Sequence, residues 1–194
     1  MLERLITISL FGILSAGLTG QTTAYSYEVS KENLFGLPNP DAPEQLKDFA
    51  LLIGECDCES VSRKANQTWA DPVEMIWKFK YIMNGTAIQD ETLKADGSHT
   101  GSIRQFNIET KKWQVHFYAT NNPSSPLMTW EGKRNEKGDI ILYRNNPSPQ
   151  GTPGFYKISF YNIKETGFDW LGEWVNPEET IQYPLWKIFC KKRV

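Results

Sequence analysis

IWKFKYIMNGTAIQDETLK, residues 76–94, decides the fold. Two runs of strand type flank Asn84-Gly85, the dipeptide that best tolerates the positive φ angles of a two-residue hairpin turn. Counting outward from that turn, Met83 faces Thr86, Tyr81 faces Ile88, Lys80 faces Gln89, Phe79 faces Asp90 and Lys78 faces Glu91. Side chains alternate across a strand. One face therefore carries Lys78, Lys80, Gln89 and Glu91, a solvated set with an opposite-charge pair. The other carries Trp77, Phe79, Tyr81, Ile88 and Asp90. A carboxylate on an apolar face is not explained by packing.

The remaining chain fits the same grammar. At 194 residues it can build one domain with a sizeable core. Aromatic content of 13% with scattered Gly, Pro, Asn and Thr suits many short strands rather than a helix bundle. A net charge of −2 without a basic stripe excludes a nucleic-acid-binding surface, and Lys191-Lys192-Arg193 reads as a solvated strand end. Arg4 and the apolar run Leu5–Leu18, followed by short residues up to Ala24, read as an export signal too short to span a bilayer. Cleavage is expected after Ala24, with Gly20 as second choice. Residues 1–24 are then a signal peptide, 25–42 a linker and 43–194 the folded domain. The expected product is soluble and exported, periplasmic or secreted, with no stable membrane insertion.

Asp41 is positioned to cap a short helix with Pro43 in its first turn; Leu46, Phe49 and Ile53 form its inner side and Gly54 ends it. A strand follows with Glu55, Asp57 and Glu59 outward and Cys56 and Cys58 inward. Further strands are expected over Ser102–Ile108 and Trp113–Thr120, joined by Glu109–Lys112. That loop sets Ile108 against Trp113, Phe106 against Val115 and Arg104 against Phe117. Arg104 is then inward with Phe106, Trp113 and Phe117, while His116 lies on the surface. Met128 and Trp130 alternate in a strand ended by Gly132, and Ile140–Arg144 makes the next. The proline-rich Asn145–Pro153 is a loop, read as a surface connection that could also serve as a rim or lid. Strands Phe155–Ile163 (Lys157 and Ser159 outward), Gly167–Trp174 and Ile181–Lys191 close the chain. About ten strands at antiparallel spacing favour a closed all-β, up-and-down barrel with a short N-terminal helix.

Leu52-Ile53-Gly54-Glu55 after the helix, Tyr81-Ile82-Met83-Asn84-Gly85-Thr86-Ala87, Ser102–Asn107 with Lys112-Trp113, and the late Phe168-Asp169-Trp170 resemble the calycin superfamily, the lipocalin-like barrels. More closely they resemble uncharacterised exported bacterial proteins with a lipocalin-like, nitrobindin-like barrel. The resemblance covers roughly residues 43–193 and implies a barrel with an interior cavity, not an activity. Two positions depart from it. Cys56 stands where lipocalins place a tryptophan, and no histidine follows His116, where nitrobindin-like proteins have a haem ligand. No cofactor, haem included, and no metal site is expected; Cys56-Asp57-Cys58 lacks a suitably spaced histidine partner. The glycosylation patterns Asn66-Gln67-Thr68 and Asn84-Gly85-Thr86 are accidental in a bacterial protein.

Closure of a barrel joins its first and last strands, which sets Cys190 beside Cys56 or Cys58. One seam disulfide, Cys190 with either, is expected, with three buried free thiols as the alternative. Asp90 and Arg104 lie on consecutive strands and both point inward. A buried charge is costly unless paired, so they are expected to pair, Arg104 opposite Asp90 or one pair along. The pair either fixes register alone or offers Arg104 to a polar ligand head. Trp77, Phe79, Tyr81, Asp90, Arg104, Trp113, Phe117, Trp130 and Trp170 are the expected ligand-binding residues. The expected function is binding of a small, mostly apolar or amphipathic molecule inside the barrel, without catalysis. An isomerase, cyclase or lyase using Asp90 or Tyr81 is the first alternative, and a filled barrel acting through its surface the second.

Overall fold

The computed structural model describes residues 25–123 and 125–193. The expected signal peptide therefore lies outside the described residues. Ten strands follow one 3-10 helix, Glu44–Leu52: β1 (Gly54–Ser62), β2 (Val73–Ile82), β3 (Ala87–Lys94), β4 (His99–Asn107), β5 (Lys112–Ala119), β6 (Met128–Arg134), β7 (Ile140–Asn145), β8 (Phe155–Lys164), β9 (Gly167–Val175) and β10 (Gln182–Lys192). Each pairs antiparallel with its sequence neighbours, and β1 pairs with β10, closing the barrel. Among the described residues no strand edge is left for edge-to-edge association.

The β2–β3 register is Tyr81 opposite Ile88, Phe79 opposite Asp90 and Lys78 opposite Glu91. The turn itself is wider than a two-residue hairpin. Met83, Asn84 and Gly85 all take positive φ (53°, 52° and 76°), and the last paired residues are Ile82 and Ala87. The wider turn is still centred on Asn84-Gly85, so the register is unchanged. Residues 27–39 run alongside it: the Tyr81 amide donates to the Phe35 carbonyl (2.8 Å) and the Asn39 amide to that of Gly85 (3.0 Å). A Cβ on Gly85 would collide with the Leu37 carbonyl and the Asn39 nitrogen, so only glycine fits there.

Three local expectations are corrected. The helix has Pro43, not Asp41, at its N-cap, without a side-chain capping bond. Its buried residues are Leu46, Phe49 and Leu52, spaced by three, because side chains eclipse at that interval in a 3-10 helix. In β4–β5, Phe106 faces Trp113 and Arg104 faces Val115, two residues from the expected register. Ile108 belongs to the loop and is exposed; Asn107 Oδ1 accepts from the Thr110 amide (3.0 Å) and Lys111 takes φ 53°, which sets the turn one step earlier. A shift of two preserves faces, so the inward set survives. Gly132 does not end β6 but lies within it, between Trp113 and Leu142, where a Cβ would run into the Ile141 carbonyl.

The helix stoppers one end of the barrel. Phe49 meets Trp113 edge-on (4.9 Å between ring centres) and Phe160 (5.9 Å), and Asp48 Oδ2 accepts from Trp113 Nε1 (3.0 Å). Burial raises the Asp48 carboxyl above its ordinary range, opposed by Trp113 and then Arg134. Phe79, Phe160 and Phe168 form an aromatic layer above the stopper, with ring centres 5.8–6.2 Å apart. At the seam, Cys58 opposes Cys190 and is bonded to it, while Cys56, opposite Lys192, is a buried free thiol. Burial pushes the Cys56 thiol up to about 11. Arg193 bridges the outer side of the seam to Asp57 (2.6 Å) and Glu55 (3.1 Å), so this basic end is partly paired rather than simply solvated.

Lys157 points outward as its alternation requires, yet only 9% of it is exposed. The β9–β10 connection covers it. Its Nζ lies 2.5 Å from Glu179 Oε2 and 3.7 Å from Glu173 Oε1, and Tyr143 donates to Glu179 Oε1 (2.5 Å). Burial raises the Glu173 carboxyl, with Lys157 opposing.

Candidate functional site: the barrel cavity

Above the aromatic layer the inward side chains stop filling the barrel and leave a cavity of about 240 Å³. Its wall draws on Thr92 and Lys94 late in β3, Thr100 early in β4, Phe117 late in β5, Met128 early in β6, Arg144 late in β7 and Trp186 early in β10. Those strand ends lie opposite the stoppered end. The cavity is thus blind below and faces the connections 63–72, 95–98, 120–123 with 125–127, 146–154 and 176–181 above. Within that rim, Trp174 Nε1 donates to the Asn146 carbonyl (2.8 Å), tying the proline-rich loop to β9.

Asp90 and Arg104 form the cavity floor. Asp90 faces Ser102 and Arg104 faces Ile88, so the two are one inward pair apart. Arg104 Nη1 donates to Asp90 Oδ1, and Trp77 Nε1 donates to Asp90 Oδ2 at 2.8 Å. The guanidinium carbon lies 5.1–5.6 Å from the ring centres of Phe49, Phe79 and Phe160, a cation held over three aromatic faces. Both groups are almost fully buried, which such pairing makes tolerable.

The wall is aromatic. Trp77 and Trp170 lie 6.4 Å apart between ring centres, Trp170 and Trp186 5.3 Å, and Trp130 meets both Phe117 (6.1 Å) and Tyr156 (6.0 Å). Gly172 makes room here, since a Cβ would meet the Tyr156 hydroxyl and the Trp170 ring. Burial pushes the Tyr156 phenol up to about 12, with Arg144 pulling the other way, so it is a neutral hydroxyl at physiological pH. Thr92 and Thr100 share a hydrogen bond (2.5 Å) between their hydroxyls.

Of the expected ligand-binding residues, Trp77, Asp90, Arg104, Phe117, Trp130 and Trp170 line the cavity. Phe79, Tyr81 and Trp113 point inward but pack below the cavity, near the stopper and the 27–39 segment. Arg144, Tyr156, Lys94 and Trp186 line it unannounced. The signal for Arg144 was present, because Ile140, Leu142 and Arg144 alternate as Asp90 does with Ile88. His116 is half-buried on the outer wall, its Nδ1 3.0 Å from Thr129 Oγ1.

The arrangement defines a class: a closed antiparallel barrel, blind at one end, with a small aromatic cavity and a buried ion pair at its base. No protein-family model matches the chain, and no curated protein is significantly similar to it.

Proposed function

We propose that this chain is an exported, calycin-type binding protein that holds a small, mostly apolar molecule in its barrel. The observation that carries the reading is the aromatic cavity of about 240 Å³ above a fully packed floor. A dry cavity of about 150 Å³ takes a benzene-sized guest, so this one suits about ten non-hydrogen atoms. The closed meander of ten antiparallel strands supports the lipocalin-like reading, and the helix at one end leaves the opposite end as the way in for a guest. Both Asp90 oxygens already accept hydrogen bonds, and Tyr81 lies outside the cavity; these facts favour binding over acid–base chemistry.

Native mass spectrometry of the mature protein from its host's exported fraction tests the reading. A mass excess that disappears on denaturation is expected, with quenching of tryptophan fluorescence when apolar guests are added. No excess and no uptake of any small apolar guest would leave a filled barrel acting through its surface.

A further inference from the structure

The residues lining the cavity hold three buried nitrogen donors with no acceptor among the described residues: Arg104 Nε, Trp130 Nε1 and Arg144 Nε. Buried donors are nearly always satisfied, and leaving one orphaned costs about 1–3 kcal/mol. Trp130 is only 7% exposed and Arg104 2%, so bulk solvent does not serve them. Arg104 Nε belongs to the floor, whereas Trp130 Nε1 and Arg144 Nε, with the Arg144 guanidinium against the Trp130 ring, form a set that an acceptor entering the cavity would satisfy.

Charge gives the sign of that acceptor. Asp90 neutralises Arg104 at the floor. Arg144 and Lys94, also in the wall, make no ion pair among the described residues. Arg144 rests its guanidinium 4.8 Å from the centre of the Trp130 ring and donates through Nη2 to Asn146 Oδ1 (3.2 Å), a neutral partner. Lys94 Nζ sits 4.7 Å from the centre of the Trp186 ring. The wall therefore carries two cations that no carboxylate balances, both set on aromatic faces. A guanidinium held this way presents a planar fork suited to a carboxylate.

We infer that the cavity selects a small carboxylic acid, its carboxylate held by Arg144 and Trp130 Nε1 and its apolar body among Trp77, Trp170 and Phe117. This deepens the binding reading and rests on it. It also moves the expected polar anchor from Arg104, which Asp90 occupies, to Arg144.

The test compares 3-phenylpropanoate with 3-phenylpropan-1-ol, which share an apolar body, by titration calorimetry at pH 7.5 and low salt. The carboxylate should bind at least about tenfold more tightly than the alcohol, as a charge-assisted hydrogen bond predicts. Arg144→Met should reduce the acid to the affinity of the alcohol, and Trp130→Phe should weaken it several-fold with less effect on the alcohol. Equal affinity of the unmodified protein for both probes would overturn the carboxylate inference while leaving the cavity reading in place. A preference for the acid that survives Arg144→Met would overturn the assignment to Arg144. Binding of neither probe at millimolar concentration would overturn the cavity reading and the inference together. The first comparison needs no variant, so a misfolded Arg144→Met cannot rescue the proposal.

Discussion

Asp90 and Arg104 meet diagonally across β3 and β4, each one inward position away from the residue directly opposite the other. The carboxylate also accepts from Trp77, so three strands converge on one side chain. Removing the cation alone strands a buried carboxylate. Arg104→Met should cost about 3–5 kcal/mol in urea unfolding, whereas Asp90→Asn combined with Arg104→Met should cost clearly less. Asparagine still offers Trp77 an acceptor. A single variant within about 1 kcal/mol of the parent would show that the ion pair is dispensable.

The seam disulfide predicts a thiol count. Denatured but unreduced protein should show one reactive thiol, from Cys56, and three after reduction. In the folded protein Cys56 should resist alkylation at pH 8, because burial holds its thiol at about 11 and little thiolate forms. Cys58→Ser should lower stability by about 2–4 kcal/mol, measured against a Cys56→Ser control that leaves the disulfide intact.

Acid should loosen the outer clamp of the seam. Lys78 holds the Glu55 carboxyl below its ordinary 4.5, and Arg193 holds that of Asp57 below its ordinary 3.8. Groups depressed in the folded state add stability above their unfolded values and lose it as pH falls through the folded ones. Melting curves of the parent and a Lys78→Ala, Arg193→Ala variant should therefore differ at pH 7 and converge near pH 2. The clamp is exposed, so the gap should be small and shrink in salt. Parallel curves across this range would refute the clamp.

Lys157 gives the opposite sign. Without it, Glu173 remains under the β9–β10 connection with Glu179 nearby, and its carboxyl, already raised by burial, should rise further. Raised groups contribute stability below their unfolded value and lose it as pH rises through the folded one. Lys157→Met should thus be destabilised by about 3–5 kcal/mol at pH 8, and the deficit should narrow towards pH 5. A pH-independent deficit would mean that Glu173 does not carry the penalty.

The barrel was legible in the sequence where local chemistry fixed it. Asn84-Gly85 centres its turn whether the loop spans two residues or four, so counting outward from it was robust. No such marker stands between β4 and β5, where an apolar Ile108 looked like strand and proved to be loop. Alternation told which residues point inward, but not how far along the axis each one sits. Phe79 and Trp113 fell below the cavity for that reason, since height depends on the stagger of all ten strands. Burial of Lys157 was invisible because the segment that covers it arrives from the distant β9–β10 connection.

The Cys58–Cys190 bond has a mechanical consequence. Tension applied between the chain's two ends would pass through β1 to Cys58, across the sulfur bridge to Cys190 and out through the last residues of β10. The polypeptide between the two cysteines, with a sequence separation of 132, would carry none of that load while the bridge lasts. Under pulling, the barrel should behave as a closed hoop with a longer N-terminal tail, which includes the helix Glu44–Leu52, and a short C-terminal one. It should yield only the slack of those tails before reduction and give up the full contour of its strands after it.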